Sequence, residues 1–276
     1  MLAALAGVRG AMITPGDRVD DEFLAAGPGL QVVATLSVGL DHVDLDAARR
    51  RGVVVANTPD VLSTATAEMA VALMLSALRR VGEGDRLIRS RRPWMLSPNF
   101  MLGRSAAGLT FGCVGHGRIG REACRLAEAL GMRTIHTSRR PTGLAGERTL
   151  HQLLGEADVV SLHCPLTAET RHLIDAAALS MMKPDAVLVN TARGPVVDEA
   201  ALVEALLAGR PGAAALDVYE REPVVHEGLL DLPNTVLAPH LGSATHSTRI
   251  AMGPLCGDAL QAVLIAGTVP ANVVLG

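Results

Sequence analysis

The sequence predicts an α/β chain built around a doubly wound parallel sheet. Three observations carry that expectation. Short aliphatic runs alternate with helical patterns through most of the 276 residues, the rhythm of βα units. Apolar residues make up 49% of the chain but aromatics only 2%, so the core is aliphatic, which suits strands buried on both faces. A glycine-rich turn, Gly115-His116-Gly117-Arg118-Ile119-Gly120, stands between one such run and a helical pattern.

The elements come in order. Residues 12–14, 30–36 and 52–56 read as buried strands, with helical patterns at 20–27 and 44–51 between them. Residues 64–91 read as one long helix, opened by Ser/Thr caps and Glu68 and closed by arginines. Six further strands are predicted at 110–114, 133–137, 158–163, 186–190, 213–216 and 235–238. Helical stretches separate most of them, notably 118–130 and 198–209, which implies a parallel order. Residues 246–266 form a last helix. No repeat or long linker is visible, so domain borders are expected at helices. One domain takes residues 61–245; a smaller one takes 1–60 and 246–276, in keeping with roughly 150 residues per domain.

Composition excludes several classes. A net charge of -3 does not suit a nucleic-acid binder. Five aromatics (Phe23, Trp94, Phe100, Phe111 and Tyr219) offer no stacking platform for single strands. The cysteines, Cys113, Cys124, Cys164 and Cys256, are scattered and form no C-x-x-C pair, as in reduced cytoplasmic proteins. The nearly apolar run 69–78 is too short to cross a bilayer, and the first six residues lack the basic start of a signal peptide. The expectation is a cytoplasmic protein with neither nucleic-acid nor membrane partners. His240 and His246 lack a third nearby ligand, so no metal is expected.

The glycine turn has the context a dinucleotide site needs: a strand before it, a helix after it, and another strand about 20 residues on. Gly115 allows the tight turn, Gly117 lets a pyrophosphate approach the backbone, and Gly120 lets helix and strand pack closely, in the Rossmann manner. The end of the next strand sets cofactor choice. An acid there would bind the adenosine ribose of NAD(H). This chain has His136-Thr137-Ser138-Arg139-Arg140 instead. Two guanidiniums suit a 2′-phosphate, so NADP(H) is expected over NAD(H). A solvated surface pair is the plainer alternative.

In open parallel sheets, ligands bind outside the carboxyl ends of the strands. Those ends carry Arg193, Asp217, Glu222 and His240. The set suits reduction of a 2-keto acid. Arg193 grips the substrate carboxylate, His240 gives the proton to the new hydroxyl, and Glu222 supports and orients His240. Asp217 is placed to accept from a nicotinamide amide.

These residues carry a likeness. The chain resembles the D-isomer-specific 2-hydroxyacid dehydrogenases, and among them the glyoxylate/hydroxypyruvate reductases. Besides the glycine turn, the matching stretches are residues 37–44, 57–62, 66–68, 190–194, 216–223 and 239–246. The resemblance implies a flavodoxin-like substrate domain beside the Rossmann domain. It implies that Val38 and Gly39 offer N–H groups to the substrate carboxylate, and that Thr66 lies near the cofactor. It places Cys164 and Pro165 at the adenosine and the Ala192 carbonyl at the nicotinamide amide. Arg118, Ile119, Thr191, His240 and Gly242, within the same stretches, also fall at the cofactor. Trp94 and residues 98–103 match a loop that shapes the substrate pocket. Family members are typically homodimers joined through their nucleotide domains. The implied function is NADPH-dependent reduction of glyoxylate or hydroxypyruvate to the D-2-hydroxy acid. The alternatives are a dehydrogenase for another keto acid and a non-catalytic NAD(P)-sensing interaction protein.

The N-terminus departs from the family pattern. Residues 1–6 resemble the end of the substrate domain's second helix, and the strand at 11–14 its third strand. On the order of 40 residues, about one and a half βα units, would be missing. The expectation is a start assigned too late, since every catalytic position is retained; the alternative is a shortened enzyme.

Overall fold

A computed structural model describes residues 2–141 and 143–275. The chain divides into two units, Met1–Ser63 with Ser243–Gly276, and Thr64–Gly242.

The first unit opens with a 3₁₀ turn, Leu2–Leu5, followed by β1 (Gly10–Ile13), α1 (Asp21–Ala26), β2 (Val32–Thr35), α2 (Leu45–Arg50) and β3 (Val54–Ala56). Asp20 and Asp44 cap α1 and α2, each carboxylate accepting an N–H of the first turn. β1, β2 and β3 pair in parallel, with Val32 opposite both Gly10 and Val54. Their apolar faces pack on Phe23, Leu24, Ala47 and Ala48, all fully or almost fully buried.

The second unit begins where residues 64–91 were expected to run as one helix. The structure breaks them into α3 (Ser63–Leu78) and α4 (Val81–Arg89). Arg80 takes a left-handed φ of 54° and locks its guanidinium on Glu83 through two 2.8 Å bonds. Then come β4 (Thr110–Val114), α5 (Arg118–Ala129), β5 (Arg133–Thr137), α6 (Leu150–Glu156), β6 (Val159–Leu162), α7 (Ala176–Met181), β7 (Val187–Asn190), α8 (Glu199–Leu207), β8 (Ala213–Leu216), α9 (Glu227–Leu230) and β9 (Thr235–Leu237). The sheet order is β5-β4-β6-β7-β8-β9, every pair parallel. The doubly wound α/β expectation is therefore met. β4, β6 and β7 are buried along their whole length, with Leu153, Leu162, Leu179 and Leu188 in one core layer and Met74, Phe111 and Val189 in the other.

The chain returns to the first unit with α10 (His246–Gln261), a π turn at Ala262–Ala266, and β10 (Val273–Leu275). α10 sets Cys256 and Ala259 against Ala34 and Ala56. The segment His246–Ala266 reaches a mean hydropathy of 1.2 over 18 residues, the length of a membrane span. β10 pairs antiparallel with β3 and was not expected from the sequence.

One half-buried histidine is expected to make the fold acid-sensitive. His163, after β6, meets the Ser161 hydroxyl at 2.9 Å through Nε2, and burial pushes its pKa down to about 4. The unfolded chain takes up the proton near pH 6.5. Stability on this account is whole above about pH 6.5 and falls toward pH 4, by at most about 3 kcal/mol. Thermal melts at pH 7 and pH 5 are expected to show the drop, and His163→Asn to reduce it.

Candidate active site

Because β4 to β9 are parallel, their carboxyl ends share one edge of the sheet. β4 ends at the glycine turn. Gly115 has φ 99° and lies against the His163–Cys164 peptide, where a Cβ would stand 2.6 Å from the Cys164 nitrogen. At Gly120 a Cβ would strike the Gly115 carbonyl and stand 2.7 Å from Cys113 Sγ. A Cβ on Gly117 would meet nothing within 4 Å. Gly117 is also the N-cap of α5 and offers no side-chain cap. The first turn of α5 thus keeps its N–H groups for an anion. Arg118 is exposed at that turn, and Ile119 packs partly into the core.

The fit to a dinucleotide rests on a second feature. Thr191 is 8% exposed, and its hydroxyl has no partner among the described residues. A buried hydroxyl without a protein partner, on the same sheet edge as the cradle, suits a polar ligand group. Thr66 is buried on α3, close to Gly242, where an added Cβ would lie 3.4 Å from its methyl. Cys164 is buried, which pushes its thiol up to about 11. The Pro165 carbonyl accepts from the Thr170 hydroxyl at 2.6 Å.

At the end of β5, Ser138 is half-buried and Arg139 and Arg140 are exposed. Two features of this corner lie beyond the sequence reading. His136 stacks on His116 of the glycine turn, centroids 3.8 Å apart. Glu147 is also brought in, because its segment pairs with His136 as an isolated parallel bridge. One Glu147 oxygen accepts the Gly143 N–H at 2.8 Å. Burial lowers the pKa of both histidines, and for His116 the neighbouring His136 adds to the effect.

The ends of β7, β8 and β9 assemble the predicted chemistry. After β7, the Asn190 side chain accepts from the Ala192 N–H at 3.0 Å and donates to the Arg193 carbonyl at 2.9 Å. That fixes the turn bearing Arg193, whose guanidinium donates to the Ala192 carbonyl at 2.8 Å. After β9, His240 Nδ1 meets Glu222 Oε2 at 2.7 Å, with the two side chains 39% and 34% exposed. The other Glu222 oxygen accepts the Tyr219 N–H at 3.0 Å. Burial alone would raise the Glu222 carboxyl. The His240 and Tyr219 hydrogen bonds, with the charges of His240 and Arg193, outweigh it and hold the pKa below the usual value. Glu222 is ionised at neutral pH, and its bond to His240 uses Nδ1 and not Nε2.

His240 has φ 56°, a left-handed conformation that costs a non-glycine residue about 1–2 kcal/mol. Asp217 holds it there. Its carbonyl accepts the His240 N–H at 2.8 Å, and its two carboxylate oxygens accept the Leu241 and Gly242 N–H groups, both at 2.7 Å. Asp217 is 1% exposed. Besides the part the sequence suggested for it, Asp217 braces the histidine loop. Asp217 and Glu222 stand five residues apart in one loop; Asp217 takes the backbone N–H groups after β9, and Glu222 takes the His240 ring.

Val38 and Gly39 lie in the first unit. The carbonyls of Ser37, Val38 and Gly39 accept from Thr58, Asn57 and Ser37 side chains respectively, which sets the peptide planes of that turn. Trp94 lies in the second unit, 53% exposed, and stacks on Phe100 at 6.3 Å.

Comparison with known proteins agrees with this arrangement. Residues 71–242 match the family model described as D-isomer specific 2-hydroxyacid dehydrogenase, NAD binding domain. The chain is 45% identical over 269 residues to a glyoxylate reductase of Aeropyrum pernix, covering 94% of this chain and 80% of that one. A solved structure of a Thermus thermophilus protein has TM-score 0.94 at 46% identity, covering 99% of this chain and 88% of that one. An NADPH-dependent glyoxylate/hydroxypyruvate reductase from Sinorhizobium meliloti, solved with NADP and malonate, has TM-score 0.89 at 38% identity, covering 99% and 85%. The glycine cradle, the orphaned Thr191 hydroxyl and these likenesses lead to one conclusion: the chain belongs to the D-isomer specific 2-hydroxyacid dehydrogenase family and is an NAD(P)-dependent enzyme.

Proposed function

We propose that this enzyme reduces glyoxylate or hydroxypyruvate with NADPH. The observation that carries the reading is the His240–Glu222 hydrogen bond of 2.7 Å beside Arg193, at the sheet edge that also bears the glycine cradle. The relatives named glyoxylate reductase support the substrate.

The bound dinucleotide supplies the hydride. The protein does the rest. Arg193 binds the substrate carboxylate and orients its keto carbon. His240, protonated and held by ionised Glu222, donates from Nε2 to the keto oxygen, which becomes the hydroxyl. Reduction thus takes its proton from the His240 ring. Glu222 loses its charge only well into acid, so it sets no limit near neutrality.

Gly115, Gly117, Gly120 and Thr191 are read as the residues that hold the dinucleotide. Ser138, Arg139 and Arg140 are read as the seat of its 2′-phosphate. The exposed apolar segment with Trp94, Met95, Leu96 and Leu102 supports a homodimer through the nucleotide domain. The test is a matrix of glyoxylate and hydroxypyruvate against NADPH and NADH. NADPH is expected to win. Arg139→Asp combined with Arg140→Ser is expected to cut the preference about 10- to 100-fold, the worth of one charge-assisted phosphate contact. An NADH preference in the unsubstituted chain would overturn the NADPH reading.

A further inference from the structure

Glu199 is the first residue of α8, yet α8 is already capped. The Asp198 carboxylate accepts the Ala201 N–H at 3.0 Å. Glu199 is nonetheless 5% exposed. Burying a carboxyl is costly unless its oxygens are met by donors, and an apolar side chain would fill the same space without that cost. Its Oε1 accepts the Glu220 N–H at 2.8 Å.

That N–H belongs to a peptide on which the catalytic geometry converges. The Tyr219–Glu220 peptide lies against Gly194, where there is no room for a Cβ. Gly194 is the residue directly after Arg193. One residue back, the Tyr219 N–H holds Glu222 Oε1. The Glu220 side chain is gripped by His172 Nε2. His172 has φ 51° and donates its own N–H to the Pro195 carbonyl at 2.8 Å, just beyond the Arg193 turn. One peptide thus spaces Arg193 from the Glu222–His240 pair.

We propose that Glu199 is a positioning residue for reduction: its buried carboxyl holds the Glu220 N–H and thereby fixes Glu222 against His240 and Arg193. The inference rests on the proposed reading of His240 and Glu222 as the acid–base pair. The titratable groups facing Glu199 are Glu220, His226, Arg221 and Tyr219; those facing Glu222 are His240, Arg193, Asp217 and Tyr219, and Asp217 also faces His240.

The test compares Glu199→Ala with Glu199→Gln, which keeps an acceptor oxygen. Two quantities are read. One is the titration midpoint of the His240 imidazole, followed by NMR of histidine-labelled protein without substrate and assigned with His240→Gln. The other is kcat and KM for NADPH with glyoxylate. In Glu199→Ala, the midpoint is expected to fall by about half a unit or more as Glu222 loosens its hold on the imidazolium. A misplacement of this kind is expected to lower kcat about 100-fold, with KM for NADPH within about twofold of the unsubstituted value. Glu199→Gln is expected to restore both. An unchanged His240 midpoint in Glu199→Ala would overturn the proposal, whatever happens to the melting temperature. So would a Glu199→Gln as impaired as Glu199→Ala. Should Glu199→Ala not fold, Glu199→Asp, one methylene short of the Glu220 N–H, is read in its place by the same criteria. A shifted midpoint in a chain that turns over no keto acid would support the positioning and refute the proposed reaction.

Discussion

His240→Gln is expected to lower kcat for glyoxylate reduction by about 10³-fold, within the usual range for loss of a positioned proton donor. Glutamine is close in size and still offers a donor to Glu222, but it cannot release a proton at neutral pH. The loop itself should survive. Its backbone is held by Asp217 through the N–H groups of His240, Leu241 and Gly242, and none of these bonds uses the imidazole. NADPH binding, read by fluorescence titration, is therefore expected to stay within about threefold of the unsubstituted protein. Loss of turnover with binding retained places His240 in the chemical step. Undiminished turnover would remove it from that role.

Arg193→Gln is expected to lower kcat/KM for glyoxylate by about 10²- to 10⁴-fold, chiefly through KM. Two charge-assisted bonds to a carboxylate are worth about 3–6 kcal/mol together. The turn under Arg193 is built by Asn190 and Gly194 rather than by the guanidinium, so the backbone is expected to hold. Arg193→Lys keeps the charge but not the planar fork, and is expected to recover only part of the loss. Steady-state kinetics across glyoxylate concentrations separates the two parameters. A normal KM in Arg193→Gln would show that another group binds the substrate carboxylate. The guanidinium also adds to the field that keeps Glu222 ionised, so a modest fall in kcat is expected alongside.

The second unit was legible in the sequence for a physical reason. Strands buried on both faces, such as β4, β6 and β7, are short runs with no charged residue, and a parallel sheet puts every functional loop after a strand. The residues just beyond each strand therefore pointed to Arg193, Glu222 and His240. Other features left no local mark. The break at Arg80 lies in a run without proline, at a residue whose left-handed backbone is supported by its own side chain on Glu83. β10 is three residues long and exists by pairing with β3, more than two hundred residues earlier in the chain. Glu147 reaches the His136 corner through a bridge between segments. Glu199 has the sequence context of a surface acid in the first turn of a helix, and only the fold puts its carboxyl under the Glu220 peptide. Asp217 shows in the sequence as an acid after a strand, and only the N–H groups of Leu241 and Gly242 reveal whom it serves. In each case but Arg80 the deciding partner is distant in sequence, and periodicity carries no information about it.

The central claim is that the Arg193, Glu222 and His240 edge of this dinucleotide-binding sheet reduces a small 2-keto acid. The most direct measurement is NADPH absorbance after glyoxylate is added to the purified protein. The account predicts catalytic loss of NADPH, faster than loss of NADH, and much slower in Arg193→Gln and His240→Gln at low glyoxylate. NADPH binding without turnover of glyoxylate, hydroxypyruvate or any other small 2-keto acid would contradict it.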